Sequence, residues 1–492
     1  MKARTTLVSG DLEIRNGPMS RREMLQRTGM GFGTLALSDL LIRQGSWSQA
    51  ATAAEVDLSR PLAARQGHLQ SKAKSVIWLL LNGGPSQVDT WDYKPELQKR
   101  DGQMLRGADS KTGFFTTSGR LLKSPFRFKR HGQSGTWVSE IFPNLSRHVD
   151  DMAFLHSCHT ESNNHSPALF QINTGLNRMG FPSVGSWTTY GLGSENENLP
   201  GYVVMTDALG RGLPKGHAQN WGTGFLPGVY QGTRLNNSGA PIENLRRRPD
   251  MSDEQQQAWL AVLCRLNREH QRHYKTEAEL TARIQSFELA YRMQMAAPEA
   301  LDVNQESKPT QKLYGLDNKK CAHFGRQCLV ARRLVEQGVR FVQIYSGGTA
   351  NEKSWDAHKS VLKNHSGFAA ETDQPIAALL TDLKSRGLLE STLVICGGEF
   401  GRTSDSQGSQ GRDHNPNAFT TWLAGGGTGG VHYGATDEFG YKAVKDRVSV
   451  HDLHATILYL LGLDHEQLTF RFNGRDFRLT DVSGSVIQNV IA

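Results

Sequence analysis

The sequence predicts an α/β protein in which a mostly parallel sheet lies between layers of helices. Three strand-like runs carry this prediction: residues 75–81, 339–345 and 392–396. The first is continuously apolar rather than alternating, as in a parallel strand buried on both faces, and the other two repeat the pattern. Each run ends in glycines followed by polar residues. Because ligands of open parallel sheets bind beyond the carboxyl ends of the strands, these three loops are expected to converge on a site.

The segments between these strands are predicted to be helical. Residues 252–295 are rich in Gln, Glu, Arg and Leu and indicate a helical pair, in which apolar side chains recur at helical spacing: Leu280, Ile284, Phe287 and Tyr291. Two shorter helices, over residues 327–337 and 376–383, are each closed by a glycine shortly before a strand. This helix-to-strand step is typical of α/β folds.

The N-terminal region resembles a twin-arginine export signal. Arg21 and Arg22 precede a weakly apolar stretch that is interrupted by glycines and too short to span a bilayer. We therefore expect a leader over residues 1–54, a linker over 55–73 and one domain over 74–492, with a helical insertion at about 250–300. An ordinary basic amphipathic helix is the alternative for the leader, and its cleavage stays open. The expected partner is the twin-arginine export machinery, and the expected location is periplasmic or extracytoplasmic, with no transmembrane span in the mature chain.

Composition excludes several classes of protein. The net charge of +8, from 56 Lys and Arg against 48 Asp and Glu, is a weak basic bias without arginine-rich runs, so nucleic-acid binding is not expected. The five cysteines are scattered and form no C-x-x-C pair, which argues against a zinc knuckle or a disulfide framework. A redox enzyme is not expected either, because dinucleotide, haem and cluster motifs are missing from the sequence.

Histidines and carboxylates cluster in the segments around the strand ends. Asp89 follows the first strand, where a tight structural turn is an equal alternative to a cation site. His156, His159 and His165 lie within ten residues, and Ser166 stands at the expected start of a helix. A helix N-terminus favours an anion or an activated nucleophile, so His165 and Ser166 are the candidate catalytic residues.

Two further loops supply candidate ligands for a metal and an anion. Asp356 and His358 stand two apart on an extended loop, so they can face the same ion, although such a pair also occurs by chance. In the last loop, the candidate metal ligands are Glu399, Asp413 and His414, and the candidate anion clamps are Arg402 and Arg412. Solvated loop charges are the alternative. Asp452, by contrast, is predicted to cap a helix.

Taken together, the motifs resemble a known exported family. They are Gly-Gly-Pro-Ser-x-x-Asp-Thr-Trp-Asp, Asn-His-Ser-Pro-Ala, Gly-Gly-Glu-Phe-Gly-Arg-Thr, Arg-Asp-His-Asn-Pro and His-Asp-Leu-His-Ala-Thr. They resemble the family called domain of unknown function 1501 from about residue 74 to the C-terminus. That family looks like a branch of the alkaline phosphatase and sulfatase superfamily, which implies an alkaline phosphatase-like core with a metal site at the strand ends.

The resemblance to sulfatases departs from their pattern at four positions. His165 falls at the place of the nucleophile, and Glu399 and Phe400 fall at the places of a metal-binding Asp and His. Asn82 falls where the first strand supplies a metal-binding Asp. The resemblance therefore implies a superfamily fold whose nucleophile and metal geometry differ from those of sulfatases.

The function expected from these residues is an exported metal-dependent hydrolase of phosphate or sulfate esters. One or two divalent ions, of zinc, manganese, calcium or iron, would neutralise the charge of the anionic ester substrate and activate a water. That water or Ser166 would attack, with His165 as general base, metal ligand or proton donor to the leaving oxygen. The alternative is a catalytically inactive envelope protein of the same fold that binds a metal, an anionic glycan or a partner protein.

Overall fold

A computed structural model describes most of the chain after residue 60. The described residues are 61–105, 112–115, 118–236, 242, 251–273, 278–349, 351–408 and 410–492. The predicted leader and the first part of the predicted linker lie outside them, so the division of the chain near residue 54 stays a prediction.

A nine-stranded sheet forms the centre of the molecule. Its strands are β1 (Ser75–Leu81), β4 (Met152–His159), β5 (Tyr202–Met205), β6 (Thr233–Leu235), β7 (Phe341–Ser346), β8 (Thr392–Gly397), β11 (Phe419–Ala424), β12 (His432–Tyr433) and β15 (Val448–Ser449). The order is β12-β4-β11-β8-β1-β7-β5-β6, with β15 also paired to β4. Only β11 runs antiparallel to its neighbours, so the predicted mostly parallel sheet is confirmed.

In the described part of the chain, four short antiparallel strand pairs lie outside this sheet. They are β2 (Phe128–His131) with β3 (Thr136–Ser139), β9 (Gly401–Arg402) with β10 (His414–Asn415), β13 (Ala435–Thr436) with β14 (Ala443–Lys445), and β16 (Phe470–Phe472) with β17 (Arg475–Phe477). The pair β9–β10 matters most for function, because it folds the segment after β8 back over the sheet edge.

Ten α-helices are described. They are α1 (Gln87–Thr90), α2 (Pro95–Lys99), α3 (His165–Thr174), α4 (Val184–Leu192), α5 (Asp253–His273), α6 (Ala278–Leu301), α7 (Lys308–Leu313), α8 (Ala322–Glu336), α9 (Val361–Ser385) and α10 (Val450–Leu460). Among the described residues, none of the helices is long and apolar enough to cross a membrane.

Helices cover both faces of the sheet. Along β1, Ile77 and Leu79 belong to a core that includes side chains of α8 and α9, such as Leu329. Val76 and Trp78 belong to a second core with side chains of α3, α4 and α10. Alternate residues of one strand thus enter opposite cores, which explains why its apolar run is continuous. The predicted α/β fold with helices on both faces is therefore confirmed.

Element bounds differ from the sequence prediction where local signals mislead. The predicted helix over 376–383 is the end of α9, which begins at Val361 with Ser360 as its N-cap and contains Pro375. Proline is favoured in the first turn of a helix, so Pro375 predicts a helix that begins near residue 376. In the structure the helix continues through Pro375. Asp452 forms a capping box with Ser449 at the start of α10, as predicted for a cap.

Candidate metal centre

The loops after β1, β7 and β8 meet at one edge of the sheet, as predicted from their glycines. The backbone amides of Gly83 and Gly84 donate hydrogen bonds to the Glu399 carboxylate at 3.0–3.2 Å. The amide of Trp355 donates to the carbonyl oxygen of Asn82 at 2.9 Å. These bonds join all three loops, because β1 lies between β7 and β8 in the sheet.

Four side chains converge where these loops meet. His165, Asp356, His358 and His414 each offer one ligand atom, and these atoms lie within 4.8 Å of one another. His165 begins α3, Asp356 and His358 lie in the loop after β7, and His414 begins β10. We call these four residues the metal cluster. Within the described part of the chain, it is the one group of at least three His, Cys, Asp or Glu side chains that converges in this way.

The distances inside the metal cluster are short. His358 Nε2 lies 2.7 Å and His165 Nε2 3.1 Å from the Asp356 carboxylate. His414 Nε2 lies 3.0 Å from His358 Nε2 and 3.3 Å from Asp356 Oδ1. Three imidazole nitrogens and a carboxylate are a donor set that divalent transition metals prefer.

Each histidine of the metal cluster is held from behind by an acceptor at Nδ1. These acceptors are Glu399 Oε1 for His165 at 2.6 Å, the Asn163 carbonyl oxygen for His414 at 2.6 Å, and Gln407 Oε1 for His358. With a proton on Nδ1, each neutral ring directs the lone pair of Nε2 toward the other ligands. Such outer hydrogen bonds are the usual support of metal-binding histidines.

The buried Nε2 atom of His165 also fits a metal. It lies 3.1 Å from Asp356 Oδ2, but it is not aligned with that oxygen as a hydrogen bond and has no other partner among the described residues. A buried polar atom without a partner costs free energy that a bound cation would remove. The residues present therefore fit a divalent ion.

Charge within the metal cluster is strongly biased. Burial alone would raise the pKa of Asp356, but the Arg402 guanidinium and the close contacts with three histidines hold it well below its usual range. Burial lowers the pKa of His165, yet its contacts with Asp356 and Glu399 outweigh this effect and raise it. Burial holds the pKa of His414 well below its usual value. A second proton on His165 would thus put a positive charge between the carboxylates of Asp356 and Glu399.

Solvent reaches the metal cluster from one side. The His358 side chain is 14% exposed, whereas the other three are 1–4% exposed. His358 is therefore the member of the metal cluster that a molecule from solution would meet first.

Asp89 and Arg412 lie outside the metal cluster and pair with each other. Arg412 Nε lies 2.6 Å from Asp89 Oδ2, and both side chains are fully buried. The remaining N–H groups of Arg412 donate to the second Asp89 oxygen and to the carbonyl oxygens of Thr403, Ser404 and Leu122. Neither the expected metal ligand nor the expected anion clamp is therefore directed at a ligand.

Arg402 faces the metal cluster but not the solvent. Its guanidinium donates to Asp356 Oδ1 at 2.7 Å, to the Gly84 carbonyl oxygen at 2.7 Å and to the Gly83 carbonyl oxygen. The side chain is fully buried. Arg402 thus compensates the charge of Asp356 and anchors the loop after β1.

Asp413 and Ser166 flank the metal cluster without joining it. Asp413 accepts hydrogen bonds from the amides of Phe115 at 2.6 Å and His414 at 2.8 Å. Ser166 is half-buried in the first turn of α3, where its amide donates to the N-cap Asn164. The predicted helix start at this position is confirmed, whereas the catalytic role of Ser166 stays a prediction.

Asn82 and Phe400 occupy positions at which the superfamily resemblance placed metal ligands. The side-chain Nδ2 of Asn82 donates a hydrogen bond to the carbonyl oxygen of Gly348. The buried Phe400 ring lies with its centroid 4.8 Å from that of His165 and 4.6 Å from that of His414. An apolar ring beside the metal cluster leaves this side without ligands for a second ion.

Only His165 of the predicted histidine group joins the metal cluster. His156 lies on β4, where its Nε2 is 2.8 Å from His432 Nδ1. The supporting roles of Asn163 and Gln407 were missed. Asn163 could have been found from its place in the Asn-Asn-His-Ser-Pro motif, whereas Gln407 carries no sequence signal.

Comparisons with known proteins identify the family. The model described as "Protein of unknown function (DUF1501)" matches residues 73–491, so the chain belongs to this family, as its motifs predicted. No curated protein matches the chain in sequence.

Three similar solved structures are hydrolases by their names. A mutant of TAB5 alkaline phosphatase with bound Mg is 12% identical, with 80% of this chain and 99% of that chain covered and a TM-score of 0.36. The PsFucS1 sulfatase from Pseudoalteromonas sp. is 13% identical, with 81% and 69% covered and a TM-score of 0.34. A phosphonate monoester hydrolase from Silicibacter pomeroyi is 12% identical, with 80% and 73% covered and a TM-score of 0.33.

Proposed function

We propose that this member of the DUF1501 family is a metal-dependent hydrolase of phosphate or sulfate esters that uses one divalent ion. His165, Asp356, His358 and His414 would hold the ion. The observation that carries this proposal is the convergence of three Nε2 atoms on Asp356, each ring being held at Nδ1 by an acceptor. A bound divalent ion supplies charge neutralisation for an anionic ester and lowers the pKa of water.

The surrounding residues prepare this site. Glu399 keeps the Nδ1 proton of His165 in place, while Gly83 and Gly84 hold the Glu399 carboxylate. Arg402 balances the charge of Asp356. Glu399 thus serves as a positioning residue for the metal cluster, as Asp413 does through the His414 amide.

The donor set favours particular metals. Three imidazoles with one carboxylate suit zinc, and iron or manganese next. Calcium prefers oxygen ligands, so it ranks last among the four ions considered.

The attacking group is either water or the Ser166 hydroxyl, which stands beside His165 at the start of α3. Ser166→Ala distinguishes them: turnover by water survives this substitution, and turnover through a covalent serine ester does not.

Binding without turnover is the second candidate function. It is favoured by the burial of Arg402 and Arg412, whose donors are directed at protein oxygens rather than at a substrate anion. In this function, the same ion would bind a partner or an anionic glycan.

The testing experiment begins with elemental analysis of the purified protein. We expect about one equivalent of divalent metal. Turnover of aryl phosphates and aryl sulfates should then be lost on chelation and restored by the metal. His165→Ala should abolish turnover, whereas His131→Ala on the hairpin β2–β3, outside the metal cluster, should retain it.

The outcomes separate the two functions. A metal-loaded protein without turnover on either ester class would favour the binding function. A protein that neither contains nor takes up divalent metal would overturn both.

Export through the twin-arginine pathway remains part of the proposal. Replacing Arg21 and Arg22 by lysines should retain the protein in the cytoplasm, and unchanged export would contradict this.

A further inference from the structure

Two phenylalanines stand at the open side of the metal cluster. The Phe115 ring lies 5.0 Å from that of His358, centroid to centroid and edge-on, and the Phe114 ring lies 5.5 Å from that of His414. Phe114 is 46% exposed and Phe115 is 52% exposed. Both rings therefore touch metal-cluster histidines with one part and leave about half of their surface uncovered.

The backbone of this segment is fastened by neighbours of the cluster residues. The Phe115 amide donates to Asp413 Oδ2 at 2.6 Å, and the Asn163 side chain donates to the Gly113 carbonyl oxygen at 2.9 Å. The Asn417 side chain donates to Thr112 Oγ1 at 3.0 Å. Asn163 also holds His414 through its carbonyl oxygen, so one residue positions both a cluster histidine and the aromatic segment.

Gly113 shows how closely this segment approaches Asp413. A Cβ atom on Gly113 would lie 2.5 Å from Asp413 Oδ2. Because the segment 112–115 comes so close, the Asp413 carboxylate hydrogen-bonds to its backbone and does not join the metal cluster.

The two rings offer an apolar surface beside the polar centre. Their centroids are 4.9 Å apart in an edge-to-face arrangement. Binding sites commonly combine such aromatic surface with a few polar groups that fix orientation. The flat face of an aromatic or sugar ring would cover the uncovered ring surface, which water solvates poorly.

We infer that Phe114 and Phe115 bind the leaving group of the ester, and that the substrate carries a ring whose flat apolar face adjoins the ester oxygen. This inference rests on the proposed function, because it places the ester at the metal cluster. A small alkyl leaving group would not reach this surface.

The test compares ring-bearing with small ligands in binding and in turnover. Calorimetry of the metal-loaded protein would give affinities for phenylphosphonate and methylphosphonate, which are not hydrolysed. Turnover would be measured with phenyl phosphate, glucose 1-phosphate and ethyl phosphate. The variants are Phe114→Ala and Phe115→Leu, with Phe287→Leu on α6 as a control of equal exposure, 50%.

We expect wild-type protein to prefer phenylphosphonate over methylphosphonate, and each variant to reduce this preference about two- to tenfold, the range of a single aromatic contact. Metal content should not change, and Phe287→Leu should retain the wild-type preference. A matching preference for glucose 1-phosphate over ethyl phosphate would identify the ring as a sugar, and its absence would identify the ring as aromatic.

Three results would overturn the inference. If both phosphonates bind equally, or if the variants keep the wild-type preference while the esters are hydrolysed, the aromatic pair does not select the leaving group and the proposed function stands. If the metal-loaded protein binds neither phosphonate and hydrolyses no ester, the inference and the proposed function fail together.

Discussion

Glu399 accepts hydrogen bonds from two backbone amides and from His165, so its carboxylate is occupied before any ion binds. Its place in the Gly-Gly-Glu-Phe-Gly motif predicts a metal ligand, whereas in the structure its carboxylate contacts His165 Nδ1 and lies outside the four residues of the metal cluster. A carboxylate in this position fixes the tautomer of the histidine and increases its basicity.

Glu399→Gln tests this role. The amide oxygen can still accept from His165 Nδ1, but the charge is lost, so we expect the affinity for metal to fall about 10- to 100-fold. Competition with a chelator of known affinity measures the change. Glu140→Gln, at a surface ion pair with Arg127, is the matched control. Unchanged affinity in Glu399→Gln would show that the carboxylate does not support a metal ligand.

Local geometry separates Asp413 from His414, although they are neighbours in sequence. Successive side chains of an extended segment point in opposite directions. His414 therefore enters the metal cluster while Asp413 points to Phe115. Asp356 and His358 instead come together in a tight turn, in which the His358 amide donates a hydrogen bond to the Asp356 carbonyl oxygen at 3.2 Å.

At the scale of elements, the loop after β1 is the common support of the site. Gly84 has a φ of +69°, which favours glycine, and its amide binds Glu399. A Cβ atom there would lie 2.6 Å from the Phe400 ring. This loop therefore couples the position of Glu399 to that of Phe400.

Gly84→Ala should destabilise the fold beyond the cost of its backbone conformation. Gly387 beyond α9 has nearly the same φ, +67°, but open space around its Cβ position. A left-handed alanine costs about 1–2 kcal/mol, which Gly387→Ala measures alone. Displacement of Phe400 should add about 1–3 kcal/mol to the loss in Gly84→Ala. Urea unfolding of both variants checks this, and equal losses would show that Phe400 moves without cost.

The antiparallel pair β9–β10 is the second supporting element. It sets Arg402 opposite His414 in register, so the guanidinium that neutralises Asp356 and a proposed metal ligand come from one hairpin. The chain reversal also brings Arg412 to Asp89.

At the scale of the whole molecule, the fold also buries titratable groups outside the metal cluster. His454 on α10 is fully buried beside Trp78, and its Nε2 donates to the Ile172 carbonyl oxygen at 2.9 Å. Burial lowers the pKa of His454 to about 3 from an ordinary value of 6.5. Burial lowers that of His365 to about 3 as well.

These histidines predict a loss of stability in acid. Below pH 6.5 His454 binds a proton in the unfolded chain but stays neutral in the folded protein. The contribution of His454 to the free energy of unfolding is therefore complete above pH 6.5 and declines as the pH falls to about 3. Each such histidine should lower the free energy of unfolding by about 1.4 kcal/mol per pH unit within this window. Urea unfolding between pH 7 and pH 4.5 measures the slope.

His454→Leu isolates one of these contributions. In this variant the free energy of unfolding should change less steeply with pH, because unfolding takes up about one proton fewer, whatever the stability at pH 7. The wild-type protein, measured in parallel over the same pH range, supplies the reference slope. An unchanged slope in His454→Leu would mean that the folded protein protonates this histidine.

The sequence by itself determined the layers of the fold, the strand ends at which the site forms and three of the four cluster residues as metal candidates. These features are local, because they depend on apolar periodicity, glycines after strands and residues spaced to share a face. His165 was also singled out, as a catalytic residue for which metal ligation was one of three alternative roles.

Only the tertiary structure decided which charges meet. Asp89 and Arg412 are 323 residues apart in sequence, yet in the fold they neutralise each other in the core. Asp356 instead contacts Arg402, His165 and His414 from other segments, in addition to His358 from its own loop. A buried charge must find a partner, but residue type does not say which partner lies within reach. The role of each carboxylate and arginine is therefore fixed by long-range packing, which brings distant segments to the same edge of the sheet.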